Sequence, residues 1–403
     1  MLTVTEKNPL VPKQRAELDV LFLYRTGKKR RYFTTLSEQA LSTLRCTVQS
    51  YHSLPKVSSV KLTKQELDDI VFKAEQELYN AKDETWQKVK RLSRGLLVAQ
   101  INKLYSRLFH FLNEKQPKLL AIWNGHKWQD NVLHAVNKHF NIPITYFENG
   151  VLPKTTTIDF SGINALNSVP RDIAFYQNLP QSDTKLTHKI VGRKYKNKKQ
   201  IKTKFKLPKK YLLVPFQKDR DSQILDNSKW IKSMRQMFAV LLEALEASGR
   251  DDLHIVFREH PSAKTKYSDL YKQAAKHPRL CFDQQSDLTE IITNAEAVVT
   301  INSTVGLESL LLDTKVITLG EAFYNVSSLV LSASSPSDLA TQINALSRFS
   351  LDRKLLQQFV GYLESDYVIA GDWKKPDEQH FDSIRQRFFD YLTPLPSSYK
   401  ATA

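Results

Sequence analysis

Four places in this sequence set chemically capable residues directly behind a short apolar run. Ala-Val-Val-Thr-Ile ends at residue 301 and is followed by Asn302, Ser303 and Thr304; IPITYF ends at Phe147 and is followed by Glu148, Asn149 and Gly150. YLLVPF ends at Phe216 and leads into Gln217, Asp219 and Asp221, while HIVF ends at Phe257 ahead of Arg258, Glu259, His260 and Pro261. Such runs, with β-branched residues, read as buried parallel strands. In open parallel sheets ligands gather just past the carboxyl ends of the strands, so each cluster falls where chemistry is expected. Ser303 and Thr304 open a helix, with Gly306 one turn in and Leu307, Leu310 and Leu311 at helical spacing. A helix start offers unpaired N–H groups and the positive end of the dipole, a setting that suits a phosphate, and two hydroxyls add donors. The simpler alternative is an ordinary helix cap. Asp219-Arg220-Asp221 has the letters of a metal-binding Asp-x-Asp, but no such motif directly follows a strand.

The elements that must position these residues form two series. In the first, Asp19–Tyr24 (DVLFLY) reads as a strand, followed by the basic run Lys28–Arg31, a helix near Leu36–Gln49 and a second strand at Val57–Leu62. Thr63 with Glu66 three residues on is a capping-box pattern, and apolar residues from Trp86 to Leu112 recur at three- and four-residue steps, one long amphipathic helix that Pro117 ends. Lys118–Trp123 is a strand breaking at Asn124-Gly125; a helix through His134 and Phe140 leads to Ile142–Phe147. Val151–Asp172 has neither helical nor strand period. A connection of that length is expected to bind something, and it carries Asp159, Gly162, Asn164, Ser168 and Arg171. In the second series, strands at 211–216, 254–257, 280–282, 297–301 and 316–319 alternate with helices near 228–247 and 288–294 and after Ser303. Helices follow at 338–348, 354–364 and 381–392, and the tail from Thr393 reads as a linker to a further module. Alternating strands and helices with short links predict parallel α/β domains.

Composition narrows the function classes. The chain has 403 residues, room for two domains, and no stretch approaches a membrane span. The start is polar, with no apolar run behind it, so no secretory leader is expected. Cys46 and Cys281 are far apart and lack metal-ligand spacing, which fits a reducing cytoplasm and no zinc. The net charge is +17, yet residues 185–210 hold twelve Lys or Arg and no acid, leaving about +5 for the remainder. The basicity is local. It reads as a solvated interdomain linker, a reading compatible with attraction to anionic lipid headgroups.

Taken in order, FENGVLP, IDFSGIN, VPFQKDRDSQI, FREHP and INSTVGLESLL resemble the capsule polysaccharide synthesis and export family, over roughly residues 117 to 320. Members of that family are β-Kdo transferases that build lipid-linked Kdo linkers, with relatives that cap O-antigen chains. The resemblance implies a GT-B-like α/β fold: two doubly wound Rossmann-like domains, a central cleft and C-terminal helices. The expected boundaries are 1–183 for the acceptor side, 184–210 for a basic linker, 211–350 for the nucleotide-sugar side and 351–403 for helices and tail. It implies CMP-Kdo as donor, retention of configuration, no metal or other cofactor, a glycan or glycolipid acceptor, and a cytoplasmic location at the inner face of the inner membrane.

By the same resemblance His260-Pro261 is similar to the His-Pro motif of bacterial sialyltransferases, and Glu148-Asn149-Gly150 to their acidic-x-Gly motif. His260 would donate to the CMP phosphate as charge builds on the leaving group. Asp221 is assigned as nucleophile, with Asp219 as rival and an N-cap as the simpler role, and Glu148 as base toward the acceptor hydroxyl. Gln217, Arg258, Pro261, Asn302, Ser303, Thr304 and Glu308 are assigned to the donor. Glu308 reaches the ribose or faces solvent; Arg258 meets the sugar carboxylate or pairs with Glu259 or Asp283. Asn149, Gly150, Asp159 and Asn164 are assigned to the acceptor or its loop. Two other readings stand: a GT-B transferase for CMP-sialic acid or a UDP-sugar, and a non-enzymatic polyanion binder working through residues 185–210. That stretch has only Tyr195 and Phe205 for base stacking, so nucleic acid is not an expected partner.

Overall fold

A computed structural model describes residues 18–78, 84–180, 207–219, 221–263 and 265–392. The chain forms two compact units, Met1–Ile163 with Val368–Ala403, and Asn164–Tyr367. The division thus falls ahead of the expected boundary at 183, and the C-terminal segment belongs to the first unit. In the first unit the elements are β1 (Val20–Tyr24), α1 (Gly27–Thr35), β2 (Cys46–Ser50), α2 (Lys64–Leu78), α3 (Glu84–Lys115), β3 (Leu119–Trp123), α4 (Trp128–Asn137), β4 (Ile144–Asn149) and β5 (Thr155–Asp159). The second unit holds α5 (Ile173–Gln177), β6 (Tyr211–Pro215), α6 (Ser222–Leu225), α7 (Met234–Ala247), β7 (His254–Arg258), α8 (Ser268–Ala274), β8 (Leu280–Phe282), α9 (Leu288–Thr293), β9 (Ala297–Thr300), α10 (Thr304–Leu311), β10 (Val316–Thr318), β11 (Leu331–Ser332), α11 (Pro336–Ala345) and α12 (Arg353–Tyr362). The chain then returns to the first unit with β12 (Ile369–Ala370) and α13 (Glu378–Leu392).

Each unit is built on a six-stranded sheet. In the first unit the order is β2-β1-β3-β4-β5-β12, parallel from β2 to β4, with β5 antiparallel to β4 and β12 antiparallel to β5. In the second the order is β8-β7-β6-β9-β10-β11, all parallel. Strand order reverses direction between β1 and β3 in one sheet and between β6 and β9 in the other. The second is the dinucleotide-fold order, and a crevice for ligands opens at such a reversal. The cores follow the sequence pattern. All five residues of β3 and of β6 are buried, and α7 seats Met237, Phe238, Leu241 and Leu245 against the second sheet. The mixed α/β class with two parallel-sheet domains is the one the sequence predicted.

Several elements differ from expectation. The basic run opens α1, with Lys28, Arg30 and Arg31 exposed and Tyr32 and Phe33 buried. The second strand is Cys46–Ser50, a half-buried segment that overlaps the end of the expected helix at 36–49. Val57–Leu62 joins no sheet: the N–H and carbonyl of Val60 bond the Ser106 hydroxyl on α3 at 3.0 and 3.1 Å. Within 151–172 the threonines at 155–157 form β5, which pairs Asn149 with Thr156. The Thr63–Glu66 box caps α2 as expected, with Oγ1 accepting from the Glu66 N–H at 3.2 Å. Among the described residues no helix is long and apolar enough to cross a membrane. The tail from Thr393 and most of the basic stretch lie outside the described residues.

Candidate functional site

In the second unit Gln217, Asn302, Ser303 and His260 follow β6, β9 and β7, three neighbouring strands, at their carboxyl ends. Gln217 and Asn302 are buried and face each other. Gln217 Nε2 donates to Asn302 Oδ1 at 3.0 Å, and the Asn302 N–H donates to Gln217 Oε1 at 3.3 Å. Asn302 Nδ2 donates to the carbonyls of Gln223 and Asn227 at 2.8 and 3.4 Å. Both amides, expected at the donor, tie the loops after β6 and β9 together.

Ser303 is the N-cap of α10. Its Oγ accepts from the Val305 N–H at 3.3 Å, and its own N–H donates to Thr300 Oγ1 at 3.3 Å. Thr304, the first helical residue, is exposed, and Glu308 one turn on is half-buried. The buried Tyr324 hydroxyl donates to the Ser303 carbonyl. Its ring occupies the space over Gly306, where a Cβ would sit 2.2 Å from Tyr324 Oη, so glycine is required for the lock to form. Burial, with the Glu308 carboxylate, pushes the phenol well above its ordinary range and keeps it a donor.

His260 is oriented by its own turn. Nδ1 accepts from the Ser262 N–H at 3.1 Å, so the neutral ring carries its proton on Nε2. Pro261 beside it is half-buried. Arg258 has Asp283 among its partners: the guanidinium donates to the Ser286 carbonyl at 2.8 Å and lies 3.8 Å from the Asp283 carboxylate. Asp219 uses both oxygens, accepting from the Met234 N–H at 2.8 Å and the Tyr267 hydroxyl at 2.7 Å. Asp221 accepts through Oδ1 from the Gln223 N–H at 3.1 Å, the cap of α6.

In the first unit Asn124 follows β3 and Glu148 and Asn149 end β4. Asn124 sits in the left-handed region at φ 72°, from which its Nδ2 donates to Glu148 Oε2 at 2.8 Å. Glu148 Oε1 accepts from the N–H and Nδ2 of Asn149 at 2.9 and 2.6 Å, and Asn149 Oδ1 accepts from Trp373 Nε1 at 2.9 Å. Gly150 donates its N–H to the Thr155 carbonyl at 2.9 Å and closes the β4–β5 turn. Asp159 is buried and accepts from the N–H groups of Ser161 and Gly162 at 2.7 and 3.1 Å. Asn164 belongs to the second unit, where the Arg171 guanidinium gathers the carbonyls of Asn164, Ala165, Asn167 and Val169.

Three residues beside Glu148 were not singled out from the sequence. Lys29 Nζ lies 2.6 Å from the ring centre of Trp123 and 3.1 Å from that of Trp373. The only sequence signals are a basic run after the first strand and tryptophans near two strand ends, neither of which announces the other. Thiol chemistry is disfavoured, since burial pushes Cys46 up to about 12 and Cys281 up to about 11. Among the described residues no three His, Cys, Asp or Glu converge as a metal site would require.

The family described as "Capsule polysaccharide biosynthesis protein" matches residues 184–372. Protein FixF of Sinorhizobium fredii (strain NBRC 101917 / NGR234) is 33% identical over 289 residues, 72% of this chain and 68% of that protein. Capsule polysaccharide export protein KpsS of Escherichia coli is 24% identical, over 54% of this chain and 69% of that protein. Among solved structures, Thermosulfurimonas dismutans KpsC, beta Kdo 2,7 transferase, is similar at a TM-score of 0.45 and 15% identity, over 87% of this chain and 92% of that one. The family match spans the second sheet from β6 onward, and FixF shares more than two thirds of both lengths; the chain belongs to the capsule polysaccharide biosynthesis family.

Proposed function

We propose that the chain is a glycosyltransferase that moves Kdo from CMP-Kdo to a glycan or lipid-linked glycan, with retention of configuration. One observation carries the reading. In a chain of this family, a serine-capped helix start after β9 and an imidazole that bears its proton on Nε2 after β7 stand at the carboxyl ends of the two strands that flank β6. That combination suits a nucleotide phosphate whose negative charge grows as the bond to the sugar breaks. Thr304 and the first N–H groups of α10 hold the phosphate, His260 donates to it, and Glu308 faces the ribose. No metal is needed in this scheme.

Retention by two displacements requires a carboxylate nucleophile. Asp221 is assigned that role, because its cap engages one oxygen whereas Asp219 spends both. An Asp221 oxygen attacks the anomeric carbon and the electron pair of the broken C–O bond leaves on CMP. The acceptor hydroxyl then attacks the same carbon, the aspartyl ester breaks to restore the carboxylate, and the acceptor's proton passes to Glu148. The basic stretch 185–210 assists by attraction to an anionic membrane at the cytoplasmic face.

The test is Asp221→Asn. It should fold and bind CMP yet lose nearly all transfer from CMP-Kdo, and wild type with donor alone should show a Kdo-sized adduct by mass spectrometry. Transfer retained within about tenfold, only ~1.4 kcal/mol of barrier, removes Asp221 from the role. Titration with CMP, CDP and UDP checks the donor: tighter binding of UDP overturns the CMP assignment.

A further inference from the structure

At the reversal between β1 and β3, the first unit carries an arrangement with no evident purpose in the packing. Lys29, in the first turn of α1, extends its ammonium between the indole faces of Trp123, which ends β3, and Trp373, in the segment that returns after β12. Trp373 also donates its indole N–H to Asn149, whose amide and backbone N–H hold Glu148. The lysine clamp and the carboxylate thus share one wall. Among the described residues Glu148 accepts hydrogen bonds from neutral donors only, Asn124 and Asn149.

We propose that Lys29 is a positioning residue for Glu148, its amine held in the same wall as the carboxylate that receives the acceptor's proton. This rests on the reading of Glu148 as the base.

The surroundings make the amine responsive. Burial pushes Lys29 down to about 6, and among the charges that face it the Glu148 carboxylate favours its ammonium form most. Asp372 in the returning segment adds to that, while Lys374 in the same segment and Arg25 after β1 oppose it. Two indole faces favour the ammonium as well. Arg25 is itself engaged by the buried Asp130 and the Trp123 carbonyl, and Lys374 pairs with Asp372 at 3.5 Å. A lysine that merely riveted Trp373 to β3 would have no reason to be desolvated beside a carboxylate it does not bond.

Tryptophan fluorescence of the full chain, titrated with pH, reads Lys29 directly, because an ammonium against an indole alters its emission. Wild type should show a step near pH 6 that Lys29→Met and Lys29→Arg both abolish. Glu148→Gln, or Glu148→Ala should the first misfold by circular dichroism, should move the step to lower pH. The pH–rate profile for transfer should carry an inflection at the pH of that step, and Lys29→Arg, whose charge is permanent, should lack it. A step unmoved by both Glu148 variants, no step in wild type, or a Lys29→Arg profile of wild-type shape overturns the proposal. If the step moves as expected but wild type transfers nothing from CMP-Kdo, the pairing stands and the transferase reading fails. If transfer depends on Glu148 but the step ignores it, the pairing alone fails.

Discussion

Replacing Asn302 by Ala separates a brace from a ligand contact. Asn302 and Gln217 are each 6% exposed, so water does not substitute for what is removed. The variant deletes the bonds from Gln217 Nε2 at 3.0 Å and to the Gln223 carbonyl at 2.8 Å. Two such bonds contribute about 1 kcal/mol each, and leaving the buried Gln217 Nε2 unpaired costs a further 1–3 kcal/mol or so. The expected loss is about 3–5 kcal/mol, a large share of the roughly 5–15 kcal/mol that stabilises a domain. Urea unfolding followed by Trp230 is the assay, since that indole donates to the Leu319 carbonyl at 2.8 Å within the same unit. The double variant with Gln217→Ala should be less unstable than the sum of the singles, because no amide is then left orphaned. A single variant that loses less than about 1 kcal/mol, yet binds CMP tenfold more weakly, would refute the brace and return Asn302 to the nucleotide.

Gly306→Ala sets a methyl group against the Tyr324 ring and should cost about 1–3 kcal/mol by overpacking; a melting temperature equal to wild type contradicts the lock, and Tyr324→Phe in the same chain should relieve only part of the loss. Acid should weaken the first unit through His380, which is buried with Nδ1 donating to the Ala370 carbonyl at 2.7 Å and Nε2 accepting from Tyr32 at 2.8 Å. Burial holds this imidazole below its ordinary range. Its contribution is therefore fully present above the unfolded value of about 6.5 and is lost as pH falls below it. Melting temperature measured from about pH 7 to 5 should decline in wild type and less in His380→Gln; equal slopes would exclude the histidine.

What was legible in the sequence was whatever depends on neighbours along the chain. The turn after β9 was readable because a β-branched run, a capping serine and leucines at helical spacing all lie within one short stretch, and Thr63 with Glu66 is equally local. The same locality explains the failures. An asparagine after a strand has one appearance whatever it faces, so the bond between Asn302 and Gln217 across two loops was not legible. Cys46–Ser50 is a half-buried edge strand with no apolar alternation, and β5 is a run of threonines, which resemble a polar loop until β4 is alongside. Lys29 meets Trp373 only because the chain comes back, and nothing near either residue encodes that return.

That return has a consequence for how the protein is made. Residues 164–367 form one continuous unit, whereas the first unit is assembled from both ends of the chain. During synthesis the earlier-emerging half has its central strands but lacks the β12 edge, the α13 helix and the Trp373 wall. Phe22, Phe33 and Phe147, which pack with Phe388 in the finished core, are left without that cover while some two hundred further residues are translated. An uncovered aromatic face beside an unpaired strand edge invites association with other nascent chains. The second unit, needing nothing from either flank to close its sheet, is the one able to fold first, and the earlier half must wait for residues 368–392 to leave the ribosome.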